Sequence, residues 1–419
     1  MTVATRDLNC FIVGGAVRDR LLDRAVTDRD WVVVGTTPEA MLDRGFRQVG
    51  ADFPVFLHPE SGEEYALART ERKHGRGYHG FVVHAEPDVT LAQDLERRDL
   101  TINAMAMTED GTLVDPFDGQ SDLIARRLRH VGPAFVEDPL RVLRVARFAA
   151  QLADHGFTVA EETGNLMRRM SESGELADLT AERVWTETAK ALSTAHPARY
   201  FEVLREVGAL AVVFPEVDAL FGVPQPVEHH PEVDTGLHTL LVLEAAAALS
   251  DSVAVRFAAV CHDLGKALTP PEEWPSHIGH EARGVAPARA LCERLRTPKA
   301  VRELVELATE THGRIHKACE MRPATLVDLI DRLDGLRRPE RFHDALLVTK
   351  ADSRGRPGRE DDPFPEAEWL EAARRAMADI SPRPLVEQGY RGAEIGQRLR
   401  QERIRAVTRL KEETGGCQD

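Results

Sequence analysis

The chain has 419 residues, 42% hydrophobic and 29% charged, with a formal net charge of −15. That balance excludes a disordered chain, and the length exceeds one ordinary core, so about two to four domains are expected. The negative total excludes a protein that coats nucleic acid by bulk charge, and an RNA substrate then needs a local basic groove.

Apolar runs predict short strands at residues 11–13, 31–34, 65–68, 105–107 and 113–114, with a helix at 16–22 after the break Gly14-Gly15. Beyond about Glu137 the strand signals fade. Apolar residues recur at helical spacing through 140–152, 203–213, 237–249, 255–264, 301–309 and 326–333. The expected class is α+β: a head with a small β-sheet and helices, then an all-helical remainder. Proline-rich punctuation and the change of period divide the chain into 1–136, 137–225, 226–355 and 356–419. Five scattered cysteines, Cys10, Cys261, Cys292, Cys319 and Cys417, have no metal-knuckle spacing and give no disulfide framework. A reducing compartment is expected. The N-terminus offers no apolar run of signal-peptide length, and no segment has the roughly eighteen apolar residues of a membrane span. A cytoplasmic protein with no membrane partner is the expectation.

Asp28-Arg29-Asp30 opens the strand at 31–34. Residues two apart in a strand share a face, so both carboxylates can meet at one spot. Hard oxygen ligands suit Mg²⁺, which usually also carries substrate phosphates. Isolated Asp-x-Asp pairs are mostly solvated loop residues. Here the pair follows a strand, Gly14-Gly15, and a helix bearing Arg18 on its first turn, a pattern that lets backbone and guanidinium approach phosphate oxygens. Glu64, opening the strand at 65–68, is the candidate third carboxylate, and Glu63 is its competitor on the other face. Arg97-Arg98-Asp99 suits triphosphate and ribose, although alone it reads as a surface ion-pair patch. Asp138 precedes a helix on which Arg141, Arg144 and Arg147 form a basic stripe. A charged outer helix face is the commoner meaning. Asp138 and Arg141 together also imitate a base-pairing edge, a carboxylate accepting from an amino group while arginine donates.

The ordered set Phe11-Ile12-Val13-Gly14-Gly15-Ala16-Val17-Arg18-Asp19, Asp28-Arg29-Asp30, Arg97-Arg98-Asp99 and Glu137-Asp138-x-x-Arg141 resembles the class II tRNA nucleotidyltransferases, which include CCA-adding enzymes and bacterial poly(A) polymerases. The resemblance spans roughly residues 10 to 225. It implies a nucleotidyltransferase head followed by helical neck, body and tail. It further implies Mg²⁺ on Asp28 and Asp30 with Glu64 assisting, triphosphate on Gly15 and Arg18, and nucleotide on Arg98. Asp138 and Arg141 would read the base of CTP or ATP, with Arg144 and Arg147 also touching nucleotide.

Farther along, His238 lies on one predicted helix, His262-Asp263 on the next, and Asp352 far downstream. Imidazole and carboxylate ligands from separate helices suit a metal that activates water. The set resembles the HD phosphohydrolase superfamily, which implies His238, His262, Asp263 and Asp352 as metal ligands. His280 and His312 are held for phosphate or a second ion. His229, His230, His277, His316 and His343 are read as ordinary histidines. A head of this type with an HD domain behind it resembles the multifunctional CCA proteins of certain bacteria, on further stretches that include residues 52–59, 68–73 and 214–224. That implies tRNA, CTP and ATP as partners and no DNA. It also implies phosphatase, 2′-nucleotidase and 2′,3′-cyclic phosphodiesterase activities with Ni²⁺ or another divalent metal, in a monomer or homodimer. The acidic total charge then requires Arg69, Arg72, Lys73 and Arg76 to gather on one face. Two alternatives stay open: a poly(A) polymerase or an enzyme adding only CC or only A, and a phosphohydrolase whose head merely binds RNA.

Overall fold

The computed structural model describes residues 4–26, 28–49, 55–73, 81–228 and 230–417, with backbone alone for 71–73 and 81–83. Arg76, His229 and residues 52–54 lie outside the described residues, as do the side chains of Arg72 and Lys73. The chain folds as two compact units, Met1–Glu187 with Glu202–Val213, and Thr188–Phe201 with Phe214–Asp419.

The first unit is built on a mixed sheet. Its strands are β1 (Asn9–Val13), β2 (Asp30–Val34), β3 (Arg47–Val49), β4 (Val55–Leu57) and β5 (Glu64–Leu67), with a separate hairpin of β6 (Thr70–Lys73) and β7 (Phe81–His84). Then come β8 (Ala106–Met107) and β9 (Leu113–Val114), and a two-stranded pair of β10 (Arg127–Leu128) and β11 (Thr158–Val159). The main sheet runs β3-β4-β5-β2-β1-β8-β9. Within it, β2 and β5 form the parallel pair and the remaining neighbours are antiparallel.

Alternation along β2 sets the chemistry of its two faces. Trp31 and Val33 pack with Met41, Phe46, Phe56, Tyr65 and Leu67. Val32 packs on the other side with Val13, Ala68, Leu95 and Ala106. Asp30, two residues before Val32, therefore shares the face of Val32. The β2–β5 register sets Asp30 beside Glu64 and Trp31 beside Tyr65, so the carboxylate pair follows from the same pleat that buries the aromatic pair. The Trp31 and Tyr65 rings stack at 5.3 Å between centroids.

All five expected strands are present. Five more, β3, β4, β6, β7 and β10, were not read from the sequence. β6 is Thr-Glu-Arg-Lys and owes its strand form to pairing with β7. β11 likewise lies past residue 137, where strands were not expected, and pairs with β10.

The second unit is helical. Thr235–Leu249 packs on Val253–Cys261 and Pro339–Arg354, and Lys299–Ile315 packs on Val253–Cys261 and His280–Arg294. Asp234 caps the first of these helices, accepting from the Leu237 amide at 2.9 Å. Pro323–Arg332, Pro365–Ala378 and Ala393–Thr414 form a further group.

Three sequence expectations change. The helix expected through 264 ends at Cys261, and Leu264–Leu268 continues as a tighter 3₁₀ turn. The helix expected over 203–213 is interrupted at Gly208, whose φ is +73°. Cys319 and Cys417, 98 residues apart with Cα atoms at 5.4 Å, are disulfide-bonded, a pairing that sequence spacing does not signal. No helix among the described residues is long and apolar enough to cross a membrane.

Candidate active site

In the first unit, a cleft of about 630 Å³ opens on the Asp30 face of the sheet. Gly15 lines it with eight arginines and four carboxylates, among them Arg18, Asp30, Glu64, Arg98, Asp99, Asp138, Arg141, Arg144 and Arg147. The local excess of positive charge sits inside an acidic chain, as an anionic substrate requires. Arg69 is part of the lining. Asp28 lies two residues before β2, exposed, and does not line the cleft. Glu63 lies off the strand and pairs with Arg29 at 3.4 Å. Asp30 and Glu64 are thus the hard oxygen donors that the register itself brings together, and they fit a Mg²⁺ that carries phosphate.

Gly14 is required where it stands. Its φ is +71°, and a Cβ there would lie 3.0 Å from an Arg98 nitrogen. Arg18 donates to Asn103 Oδ1 at 2.9 Å and lies 5.2 Å from the Phe148 ring centroid. Its guanidinium is held across the cleft floor.

The residues expected at the nucleotide divide into groups facing the cleft and groups bracing it. Asp99 is buried and accepts from the Leu100 amide at 2.8 Å, Asn103 at 3.1 Å and Arg144 Nε at 2.8 Å. Burial opposes its charge, but Arg144 and Asn103 hold its carboxyl well below the usual carboxylate range. Arg147 donates to Glu187 at 2.6 Å and to Gln151 at 3.0 Å. Arg141 donates to the carbonyls of Ala134 and Arg97. Asp138 accepts from the Leu140 amide at 3.1 Å and from Arg183 at 2.7 Å.

Arg183 and Asp94 went unread in the sequence. Buried Asp94 receives Arg97 at 2.7 Å and Arg98 at 3.2 Å, and so aims both arginines. The Asp-x-x-Arg-Arg spacing, three and four residues on, is a legible signal for it.

Arg144→Met is expected to destabilise the first unit by roughly 3–5 kcal/mol, because Asp99 would stay buried without its cation. The pH dependence has a definite sign. The depressed Asp99 carboxyl stabilises the fold above its unfolded pKa of about 4, and that contribution is lost as pH falls through the lower folded value. Acid denaturation followed by tryptophan fluorescence should show a smaller acid-side loss in the variant than in the parent.

In the second unit, His238, His262, Asp263 and Asp352 come together, all at most 4% exposed. His238 Nε2 lies 3.0 Å from Asp352 Oδ1, and His262 Nε2 lies 3.2 Å from Asp263 Oδ2 and 3.8 Å from Asp352 Oδ1. His262 donates its Nδ1–H to the Ala259 carbonyl at 2.7 Å. Its Nε2 therefore presents a lone pair toward carboxylates. That nitrogen and Asp263 Oδ1 are both buried without a hydrogen-bond partner. Acceptors facing acceptors in a buried site fit a divalent cation.

The arrangement repeats beside it. His280 and His312 donate Nδ1–H to the His277 and Ala308 carbonyls at 3.0 and 3.2 Å, and their Nε2 atoms lie 3.2 and 3.4 Å from Asp263 Oδ1. The Lys266 ammonium lies 2.7 Å from Asp263 Oδ2.

The cluster also takes in histidines read as ordinary. His316 Nε2 lies 2.7 Å from Asp352 Oδ2, and His230 faces the His238 ring at 4.6 Å between centroids. Only the fold brings these neighbours in. His277 is satisfied by Pro224 O and Thr269, and His343 is exposed.

Gly265 makes the approach to His280 possible. A Cβ there would lie 1.9 Å from the His280 carbonyl oxygen and 2.6 Å from the Gly284 nitrogen. Gly265→Ala is expected to cost at least about 1–3 kcal/mol of stability, since backbone must move. Thermal unfolding of the purified variant would report the loss.

The Poly A polymerase head domain model matches residues 10–129, the model for a probable RNA and SrmB-binding site of polymerase A matches 156–221, and the HD domain model matches 235–336. The Multifunctional CCA protein of Methylococcus capsulatus is 60% identical over 405 residues, covering 96% of this chain and 95% of that one. The protein of the same name from Hahella chejuensis is 58% identical, covering 96% of each chain. Among solved structures, the Bacillus stearothermophilus CCA-adding enzyme in complex with CTP superposes with a TM-score of 0.59 at 24% identity, covering 98% of this chain and 91% of that one. The Thermotoga maritima CCA-adding enzyme complexed with tRNA gives 0.62 at 19%, covering 99% and 89%. At those identities the two structures speak for the fold.

Proposed function

Because the chain belongs to the multifunctional CCA protein family, we propose that it builds or repairs the 3′-CCA end of tRNA from CTP and ATP without a nucleic-acid template, and that its HD domain hydrolyses phosphate esters. It is an enzyme of the nucleotidyltransferase class that carries an HD domain, and both modules imply a divalent metal. The observation that carries the transferase reading is the register pair Asp30–Glu64 at the arginine-lined cleft.

The tRNA 3′-hydroxyl attacks the α-phosphate of CTP twice and then of ATP, and pyrophosphate leaves. Asp30, Glu64 and Asp28 would hold Mg²⁺, which lowers the hydroxyl's pKa and offsets charge on the leaving group. Arg18 and Arg98 bind the triphosphate near Gly15, and their attachment to Asn103 and Asp94 fixes their direction before nucleotide arrives. Asp138 and Arg141 read the base. Arg183 donates to one oxygen of Asp138 and so fixes the direction in which that carboxylate accepts from a cytosine or adenine amino group. Asp99, Arg144 and Arg147 act chiefly by holding this wall in shape.

In the second unit we assign Ni²⁺ or another divalent metal to His238, His262, Asp263 and Asp352. The buried, unpartnered His262 Nε2 supports that assignment. The expected substrates are phosphomonoesters and 2′- or 2′,3′-cyclic phosphates. The domain division is proposed at residues 136, 226 and 355. The chain works as a monomer or homodimer, in the cytoplasm.

The test is to incubate the protein with Mg²⁺, CTP, ATP and tRNA trimmed of its 3′ end, then sequence the products. Ends terminating at C-C-A are expected. Long A tails would make it a poly(A) polymerase, C-C alone a partial enzyme, and no extension a phosphohydrolase with an RNA-binding head.

A further inference from the structure

We propose that Glu232 is a positioning residue for the HD-domain metal, acting through His238; the inference rests on the reading of that cluster as a divalent-cation site. The side chain of Glu232 is 4% exposed, and its Oε1 lies 2.8 Å from His238 Nδ1 and 3.0 Å from His230 Nδ1. The other nitrogen of His238 faces Asp352 at 3.0 Å. An imidazole has one proton to place when neutral. His238 Nδ1 makes no aligned hydrogen bond here and Nε2 meets Asp352; when a cation takes Nε2 the ring proton belongs on Nδ1, and Glu232, 2.8 Å away, is the carboxylate placed to receive it. The negative charge also raises the basicity of the ring. His262, His280 and His312 reach the same state by donating Nδ1–H to main-chain carbonyls. His238 meets a carboxylate instead, which makes it the most electron-rich of these ligands.

The chain spends conformational energy to place this carboxylate. The next residue, Val233, has φ +60°, a region that β-branched residues avoid. That turn is pinned on both sides. The Val233 amide donates to the His230 carbonyl at 2.9 Å, the Val233 carbonyl accepts from the Gln225 amide at 2.6 Å, and Asp234 caps the helix bearing His238. His230 occupies the same Glu232 oxygen from the far side and holds its rotamer.

The experiment strips the full-length chain with chelator and titrates it with Ni²⁺ by calorimetry, for wild type, Glu232→Ala, Glu232→Gln and Glu232→Asp. Glu232→Ala should bind the same number of ions about tenfold to hundredfold more weakly. Glu232→Asp should recover part of the loss. Glu232→Gln keeps the size and fold but removes the charge, so its affinity should fall between wild type and Glu232→Ala. Nucleotide addition should be unchanged in all three. Equal affinity in wild type and Glu232→Ala would overturn the inference and leave the metal site standing. Loss of one bound ion, with the rest bound as before, would overturn it differently, by making His230, Glu232 and His238 the ligands of an ion of their own. A wild-type chain that binds no Ni²⁺ would remove the metal reading and this inference together.

Discussion

Asp30→Ala is expected to lower the rate of nucleotide addition by at least about 10²–10³-fold while leaving the fold and the HD-domain activity in place. The magnitude is what removal of one preorganised electrostatic group typically costs. Asp30 is exposed at the start of β2, so truncation opens no cavity. What disappears is one of two carboxylates that the β2–β5 register holds side by side. Glu64 would then be the one carboxylate that the register places for the cation, in a cleft whose eight arginines outnumber its three remaining carboxylates, a setting that favours phosphate but repels metal. Single-turnover extension of trimmed tRNA across a Mg²⁺ series separates the two effects. Glu64→Gln should shift the Mg²⁺ dependence to higher concentration and retain part of the maximal rate. Asp30→Ala should stay slow at every concentration. A rate for Asp30→Ala within tenfold of wild type would remove this residue from the metal site and leave Asp28 and Glu64 as the candidates. An inactive Asp28→Ala would then say that Asp28, exposed in this structure, swings onto the cation when nucleotide binds.

What the sequence disclosed was the chemistry carried by local pattern. Asp30 and Glu64 were legible because each opens an apolar strand, and β-periodicity assigns a face to every second residue. Their adjacency was not legible. It depends on β5 pairing in parallel with β2 across an intervening helix and two strands, a long-range choice that no window of sequence contains. The arginines show the same limit. Arg141, Arg144 and Arg147 were visible as a helical stripe, but only the fold shows that Arg144 and Arg147 line the cleft while ion-paired with Asp99 and Glu187. In the helical unit, His262-Asp263 stood out as an adjacent pair. His230, Glu232 and His316 did not, since histidine and glutamate are common and their meaning came from the helix packing. The missed strands β3 and β6 are polar segments whose form is dictated by their partners.

Asp263→Asn is expected to abolish phosphohydrolysis, with a loss of at least about 10²-fold, and to leave nucleotide addition intact. Asp263 is the anion around which the second site is arranged. One oxygen faces His262 and Lys266, and the other faces His280 and His312. Asparagine keeps the shape but replaces one acceptor oxygen with a donor amide and removes the charge that balances the Lys266 ammonium. Lys266 is 8% exposed, so it would remain buried beside a neutral partner, at a cost on the order of 3–5 kcal/mol. Lost activity could then reflect lost structure. His262→Ala resolves this, because it removes a lone pair aimed at the cation and leaves the Lys266–Asp263 pair whole. Hydrolysis of a 2′,3′-cyclic nucleotide should fail in both variants and in chelated wild type, and return in wild type when Ni²⁺ is restored. Thermal unfolding should separate the variants, with Asp263→Asn melting below His262→Ala. Full hydrolysis by His262→Ala would place the reaction elsewhere in the chain, and loss of nucleotide addition together with hydrolysis would mean that the two chemistries are not independent sites.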